Sequence, residues 1–206
     1  RFGMLETVSE FAGEQLAAHG ELEMVRGQHA RYFLALGEAA APHLRVAGQT
    51  AWMDRLEAEH PNLRAALAWL LAAREGEEAV RLAGALWWFW YIRGYPSEGQ
   101  QWLSRTLASG GSSIARAAAL VGAGWFALDQ GDVTPGLAAL EEAVALQRAA
   151  GDRQGIATAL NWLGNAYVHE RQYARAEQIH TEVLALRRQL DDQPGIAASL
   201  ANLAGC

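Results

Sequence analysis

The chain has 206 residues, of which 51% are hydrophobic and 19% are charged, and its formal net charge is −6. This composition is typical of a folded domain with a core, and it provides no basic patch for direct binding of nucleic acid. All 17 basic residues are arginine. A phosphate-binding loop with Gly-Lys-Ser/Thr and a lysine Schiff base are therefore both excluded.

The single cysteine, Cys206, excludes an intrachain disulfide and a cysteine-based zinc site, so we expect a cytoplasmic protein. The longest apolar run, residues 86–92, is far too short to span a membrane. His169 and Glu170 begin like a zinc-protease motif, but Tyr173 stands where that motif needs its second histidine. We therefore expect no metal, no cofactor, no membrane association and no enzymatic activity.

The N-terminal half is predicted to form a series of helices. Residues 1–5 are short and are consistent with the end of a strand, and the apolar positions after them recur at helical spacing. Glycine and proline residues break the pattern at Gly20, Pro42, Pro61, Gly76 and Pro96. The predicted helices cover residues 6–18, 22–40, 50–59, 62–74 and 77–93, and a sixth helix ends at Ser109.

The C-terminal half contains an internal repeat. Residues 155–165 read GIATALNWLGN and residues 195–205 read GIAASLANLAG, so one pattern returns at a fixed interval. Leu120 and Gly124 precede Leu160 and Gly164 by the same interval. In the complete unit, a helical stripe over residues 156–168 is followed by a short polar turn and a second stripe. One such helix pair cannot bury its own apolar stripe, so neighbouring pairs are predicted to stack.

This repeat resembles the tetratricopeptide repeat in its longer form of about 40 residues. The resemblance is carried by Leu160, Leu163, Gly164, Tyr167, Tyr173 and Ala176. It implies an all-α fold, a right-handed superhelix of antiparallel helix hairpins, in which we expect Gly164 to face Ala176. Two positions depart from the family pattern, because His180 replaces an aromatic residue and Gly136 replaces alanine.

Three N-terminal segments resemble bacterial signal-transduction ATPases of the STAND class: RFGMLETVSEFA at residues 1–12, HARYFL at 29–34 and WMDRLEAEHPNLRAAL at 52–67. In that class a nucleotide-binding module precedes the repeats, and many members carry a DNA-binding domain. The resemblance implies that residues 1–75 are a helical adaptor that follows a winged-helix segment. Residues 76–206 are then the repeat array, with a degenerate unit 77–109, units 112–150 and 152–190, and a truncated unit 194–206.

The chain begins without methionine and stops inside a repeat unit, so we interpret it as a piece of a longer protein. The resemblance implies non-catalytic recognition of a protein, a peptide or a small effector by the sensor region of a transcriptional regulator, with attached ATPase and winged-helix modules. The alternative is a free-standing tetratricopeptide scaffold with no ATPase. The sequence that precedes Arg1 separates these two hypotheses.

The candidate binding residues begin on the first helix of the unit at Gly155. Thr158, Asn161, Asn165 and His169 follow one another at intervals of three, four and four positions, which places them on one helix face. The tetratricopeptide resemblance implies that the first helices line a concave groove and that an asparagine placed like Asn165 binds a ligand backbone. An amide offers a peptide group both a donor and an acceptor. The alternative is a merely solvated face.

Four more residues are predicted to extend this surface: Trp125, Asp129, Trp162 and Asn202. Trp125 and Asp129 are one helical turn apart on the preceding unit, and Trp125 fits a core position equally well. The aromatic run at residues 87–91 is interpreted as core rather than as a ligand-binding box, because its helix is apolar nearly all round. His60, at a helix break, is expected at the surface.

Overall fold

The structure, a computed structural model, describes residues 6–46 and 48–206. Within these ranges the secondary structure is helical throughout, with a short 3-10 helix, Ala41–His43, after the second α-helix. The α-helices are α1 (Glu6–Ala18), α2 (Leu22–Ala40), α3 (Gln49–Ala58), α4 (His60–Ala72), α5 (Gly76–Arg93), α6 (Pro96–Ala108), α7 (Ser113–Asp129), α8 (Val133–Ala150), α9 (Arg153–His169), α10 (Tyr173–Gln189) and α11 (Gln193–Ala204).

Helices α7, α9 and α11, which are the first helices of successive repeat units, each begin at a side-chain cap. The Ser112 hydroxyl accepts a hydrogen bond from a backbone N–H of the first turn of α7, at 3.4 Å. Asp152 and Asp192, at equivalent positions of successive units, accept from the backbone N–H groups of Gly155 and Gly195 at 3.0 Å in α9 and α11. A carboxylate in this position satisfies a backbone donor that has no partner within the helix. The repeat in the sequence is therefore also a repeat of helix starts.

Helices α5 to α10 form antiparallel pairs, α5 with α6, α7 with α8 and α9 with α10, and α11 packs on α10. The α7–α8 pair approaches closely because two glycines face each other. A Cβ atom added to Gly124 would lie 2.8 Å from the carbonyl oxygen of Gly136, too close for any side chain. The predicted all-α fold of stacked antiparallel hairpins is thus confirmed.

The core extends from the N-terminal helices into the repeats. α2 packs on both α4 and α5, and buried side chains form one cluster that runs from Ala30 in α2 to Val183 in α10. Phe89 and Trp90, on α5, are fully buried near the middle of this cluster. A domain boundary at residue 75 stays a prediction, and the described core is continuous across that position.

The structure differs from the sequence expectations at Gly164 and at His60. The nearest neighbours of a Cβ atom at Gly164 are atoms of the His180 ring, at 2.6–3.0 Å, rather than Ala176. His60 is buried, not exposed, because its ring packs on Phe89 and Tyr95, with centroids 5.3 and 4.6 Å apart, and its Nε2 lies 3.1 Å from a Glu98 carboxylate oxygen. The strand end expected in residues 1–5 lies outside the described residues. No helix within the described ranges is long and apolar enough to cross a membrane.

Candidate binding groove

The first helices of successive pairs lie side by side. α5 contacts α7 and α7 contacts α9, while Asn202 on α11 donates a hydrogen bond from Nδ2 to Asn161 Oδ1 on α9 at 3.1 Å. Two cavities open between these helices. We call them the C-terminal cavity, which reaches α11, and the N-terminal cavity, which reaches the end of α2.

Four tryptophans form the shared wall of the two cavities. The Trp162 ring on α9 lies 4.8 Å from Trp87, 5.4 Å from Trp88 and 5.0 Å from Trp125, measured between ring centroids. Such edge-to-face and tilted ring contacts are favourable beyond the area they bury. Gly122 on α7 provides the space, because a Cβ atom there would lie 2.5 Å from Trp87 Cβ. We call these four residues the tryptophan cluster.

The C-terminal cavity has a volume of about 390 Å³. Two of its lining tryptophans bury their indole N–H groups, Trp88 Nε1 and Trp125 Nε1, and neither finds a hydrogen-bond partner among the described residues. Buried donors of this kind are rare in folded proteins, and each one calls for an acceptor. The lining residues are Trp88, Trp125, Trp162, Asn165, Val168, His180, Ala201, Asn202 and Gly205.

His180 adds a third polar group to this cavity. Its side chain is 0% exposed, and neither ring nitrogen has a partner among the residues described. Burial lowers the pKa of His180, and the positive charge of Arg187 lowers that pKa further. The imidazole is therefore neutral near pH 7, with one nitrogen that donates and one that accepts.

Asn165 lines the same cavity and is half-buried. Its amide makes no hydrogen bond with any side chain or backbone group of the described residues. Asn161, one turn earlier, is already engaged by Asn202. The residues that line the cavity therefore include one amide without a partner, two tryptophans with buried, unpaired indole N–H groups and one buried histidine with two unpaired ring nitrogens.

The N-terminal cavity is larger, about 550 Å³, and lies between the end of α2 and helices α5, α7 and α9. Thr158 and Trp162 of the predicted site line it, and the Thr158 hydroxyl donates to the Gln154 carbonyl at 3.0 Å. The lining also includes Arg45, from the turn after the 3-10 helix. Trp162 thus borders both cavities.

Five of the eight predicted site residues line one or both of the two cavities, and Thr158 and Trp162 are those in the N-terminal one. Trp125, Trp162, Asn165 and Asn202 line the C-terminal cavity, and Asn161 is tied to it through Asn202. Asp129 and His169 are exposed and line neither cavity; the His169 ring bonds Glu170 at 2.9 Å and lies 6.3 Å from the Trp125 ring.

Four residues on which the groove depends were missed in the sequence: Arg45, Trp87, Trp88 and His180. Trp87 and Trp88 belong to the run interpreted as core; Trp87 is buried and Trp88 half-buried, and each lines a cavity. Of these residues, only His180 could have been recognised in the sequence, because it departs from the repeat pattern. Within the described parts of the chain, no group of three His, Cys, Asp or Glu residues is placed to hold a metal ion.

Solved structures share this architecture. A kinesin light chain from Podosopora anserina with nearly identical TPR-like repeats superposes with a TM-score of 0.52, at 18% identity over 79% of this chain and 85% of that chain. A point variant of it gives a TM-score of 0.61, at 19% identity over 85% of each chain. The fold is tetratricopeptide-like. At this level of identity the likeness shows the fold alone.

Relatives in sequence point to a larger protein. Three proteins of Mycobacterium bovis and Mycobacterium tuberculosis, which carry the name HTH-type transcriptional regulator, are each 30% identical over 208 residues and 94% of this chain. The chain spans 23% of the length of those relatives. No protein-family model matches the chain. The tetratricopeptide-like repeats are thus homologous to one region of longer proteins.

Proposed function

We propose that this chain is the recognition region of a larger STAND-type ATPase regulator, and that it binds a protein, a peptide or a small effector in the groove formed by its two cavities. Its own role is non-catalytic. Homology to one region of longer, HTH-named proteins supports the attachment to a regulator, and the STAND resemblance of residues 1–67 supports the ATPase. The regulator is proposed to be cytoplasmic.

The C-terminal cavity carries this proposal. A buried N–H group without an acceptor costs about 1–3 kcal/mol, and two such groups, Trp88 Nε1 and Trp125 Nε1, belong to residues that line one cavity. A ligand that brings carbonyl oxygens recovers part of that cost on binding. Asn165 supplies a donor and an acceptor beside them, as a peptide group requires.

Direct contact with DNA is assigned to other parts of the regulator. The chain carries a net charge of −6, whereas the affinity of DNA-binding surfaces comes mainly from clustered positive charge on the phosphates. A free-standing scaffold protein with the same groove is the alternative, and a phosphate-binding loop and winged helix encoded upstream of Arg1 distinguish the two.

The proposal is tested by selecting ligands for the groove. Peptides displayed on phage and a metabolite mixture are both presented to the immobilised 206-residue chain, and each selected ligand is titrated against two variants. Asn165→Ala removes the free amide from the cavity. Thr181→Ala is the control, since Thr181 lies exposed on α10 and its hydroxyl bonds only the Glu177 carbonyl of its own helix, at 2.8 Å.

We expect the selected ligand to bind Asn165→Ala at least fivefold more weakly than the parent chain and to bind Thr181→Ala with unchanged affinity. A lost hydrogen bond to a buried donor or acceptor accounts for an effect of that size. Ligands that bind both variants equally well contradict the placement of the groove, and a selection that enriches nothing contradicts the proposed function itself.

A further inference from the structure

We propose that the N-terminal cavity binds a small organic monocarboxylate with an apolar body, and that Arg45 binds its carboxylate group. This inference rests on the proposed function, because it names the ligand class for one half of the proposed groove. It is carried by the position of one arginine, by the pairing of the other charges around it, and by the shape of the apolar wall.

Arg45 is held over the tryptophan cluster. Its guanidinium carbon, Cζ, lies 5.9 Å from the centroid of the Trp87 ring and 5.7 Å from that of Trp162. Cation–π contacts of this kind orient a guanidinium against the ring faces. Arg45 is exposed as a residue and lines the cavity, so a ligand in the cavity can approach its side chain.

The other charges that line this cavity already have partners. Glu38 pairs with Arg81 at 2.6 Å, and Glu77 accepts hydrogen bonds from the backbone N–H and the hydroxyl of Ser112. Arg45, by contrast, makes no ion pair with any of the described residues. Among the charged residues of this lining, Arg45 is thus the one for which the described structure shows neither an ion pair nor a hydrogen bond.

The surroundings of Arg45 favour an added negative charge. Partial burial lowers the pKa of Arg45, and the charge of Arg187 lowers it further. Arg187 itself donates to the Gly195 carbonyl at 2.7 Å and to the Ser199 hydroxyl at 3.0 Å, so it is occupied. A carboxylate beside Arg45 offsets the repulsion between the two arginines and accepts two parallel N–H···O bonds.

The rest of the cavity selects an apolar body and a single charge. Ala85, Trp87, Val121 and Trp162 contribute apolar surface, and a volume of about 550 Å³ is within the usual range for small-molecule sites. Glu38 and Glu77 lie in the same lining, and their negative charges disfavour a dicarboxylate or a phosphate ester. The end of α2 bounds the cavity, so we assign it a free acid rather than an extended peptide.

The test uses pairs of compounds that differ in charge alone. Benzoate, phenylacetate, 4-phenylbutyrate and octanoate, each with its neutral amide, are titrated by calorimetry against the whole chain at pH 7.5. At least one acid is expected to bind at least tenfold more tightly than its amide. Arg45→Gln is expected to reduce that ratio below threefold, whereas Arg45→Lys retains part of it. Arg148→Gln, which breaks an exposed pair with Glu182 at 2.7 Å on α8 and α10, serves as the matched control.

Each other outcome overturns the inference. If no acid binds at millimolar concentration, the cavity has no carboxylate site; if acid and amide bind equally, Arg45 has no role. Both of these results are measured on the unmodified chain, so they do not depend on whether a variant folds. If no small acid binds and only peptides with a free C-terminus do, the carboxylate that Arg45 binds belongs to a peptide and not to a small acid. A ligand that requires Asn165 but not Arg45 leaves the proposed function standing while this inference fails.

Discussion

The α7–α8 and α9–α10 pairs are built on the same plan but differ in polarity at the buried position that packs on the glycine of the first helix. Leu140 on α8 and His180 on α10 occupy equivalent positions of successive units, and both are 0% exposed. Each packs on the glycine of its partner helix, since a Cβ atom would lie 2.9 Å from Leu140 Cγ at Gly124 and 2.6 Å from His180 Cε1 at Gly164. The two pairs therefore share their packing geometry and differ in polarity.

This difference in polarity supports the proposed recognition role of the C-terminal cavity. Leucine completes the α7–α8 contact with no polar atom, while histidine leaves two buried nitrogens without partners in the described structure. Burying an unpaired polar group costs about 1–3 kcal/mol. The histidine borders the C-terminal cavity, and Leu140 is not in the lining of that cavity. The polar residue of the two, His180, therefore lies at the C-terminal cavity.

Among the proposed substitutions, one at Gly164 is expected to disrupt the shared packing geometry most strongly. Gly164→Leu forces a bulky side chain into the His180 ring, and we expect a loss of about 3 kcal/mol in the free energy of unfolding, as for a severe case of overpacking. Ala149→Leu, at an exposed position of α8, is the control and should change stability by less than about 0.5 kcal/mol. Urea unfolding measures both. If Gly164→Leu is as stable as the control, the two helices do not approach as described.

The polarity of His180 makes the free energy of unfolding depend on pH. The pKa of His180 is lowered in the folded state by burial and by Arg187, so below about pH 6.5 the unfolded chain takes up a proton that the folded chain does not. This stability is present above that pH and is lost as the pH falls. His180→Leu, which makes α9–α10 resemble α7–α8, is expected to remove it.

Urea unfolding at pH 7.5, 6.5, 5.5 and 5.0 measures this effect. The parent chain is expected to lose up to about 1.4 kcal/mol more per pH unit than His180→Leu does below pH 6.5, the limit for one proton. The other histidines contribute equally to both chains and cancel in the difference. Parallel curves for the two proteins contradict a buried, neutral His180.

The smallest effect on stability is expected at Asn165. It is half-buried, lines the cavity and makes no hydrogen bond with the rest of the described structure, so Asn165→Ala should change the free energy of unfolding by less than about 0.5 kcal/mol. Asn202→Ala is the comparison, because it breaks the 3.1 Å bond to Asn161 between α9 and α11, and it is expected to cost about 1 kcal/mol. If Asn165→Ala melts at a lower temperature than Asn202→Ala, Asn165 is a structural residue.

The sequence predicted the helices well and the groove only in part. The bounds of α1 and α2 agree with the predicted residues 6–18 and 22–40, because helical periodicity and glycine stops are local signals. Asn165 and Trp162 were predicted for the same reason, since the repeat places them on one helix; both line the C-terminal cavity, and their role in binding stays a prediction. Trp125 fitted groove and core equally well in the sequence, and it is half-buried against the cavity.

The remaining groove residues come from contacts that periodicity does not encode. Arg45 reaches Trp162 from a distant part of the chain, through the packing of α2 on α5. Trp88 belongs to an aromatic run whose composition is that of a core helix, and only the neighbouring helices decide which of its rings border a cavity. His180 departs from the repeat pattern, but its burial depends on Gly164, which was expected to face Ala176 instead.

The C-terminal cavity is the proposed recognition surface, and the indole N–H groups of Trp88 and Trp125, two of its lining residues, report on binding there directly. A two-dimensional ¹H–¹⁵N spectrum resolves the tryptophan side chains during a titration with the ligand selected above. Trp69 and Trp102 are internal controls, since their N–H groups donate to Glu23 at 2.9 Å and to Glu98 at 3.2 Å, away from the groove. We predict that the signals of Trp88 and Trp125 shift with ligand concentration while those of Trp69 and Trp102 stay in place. A bound ligand that leaves Trp88 and Trp125 unchanged contradicts the account.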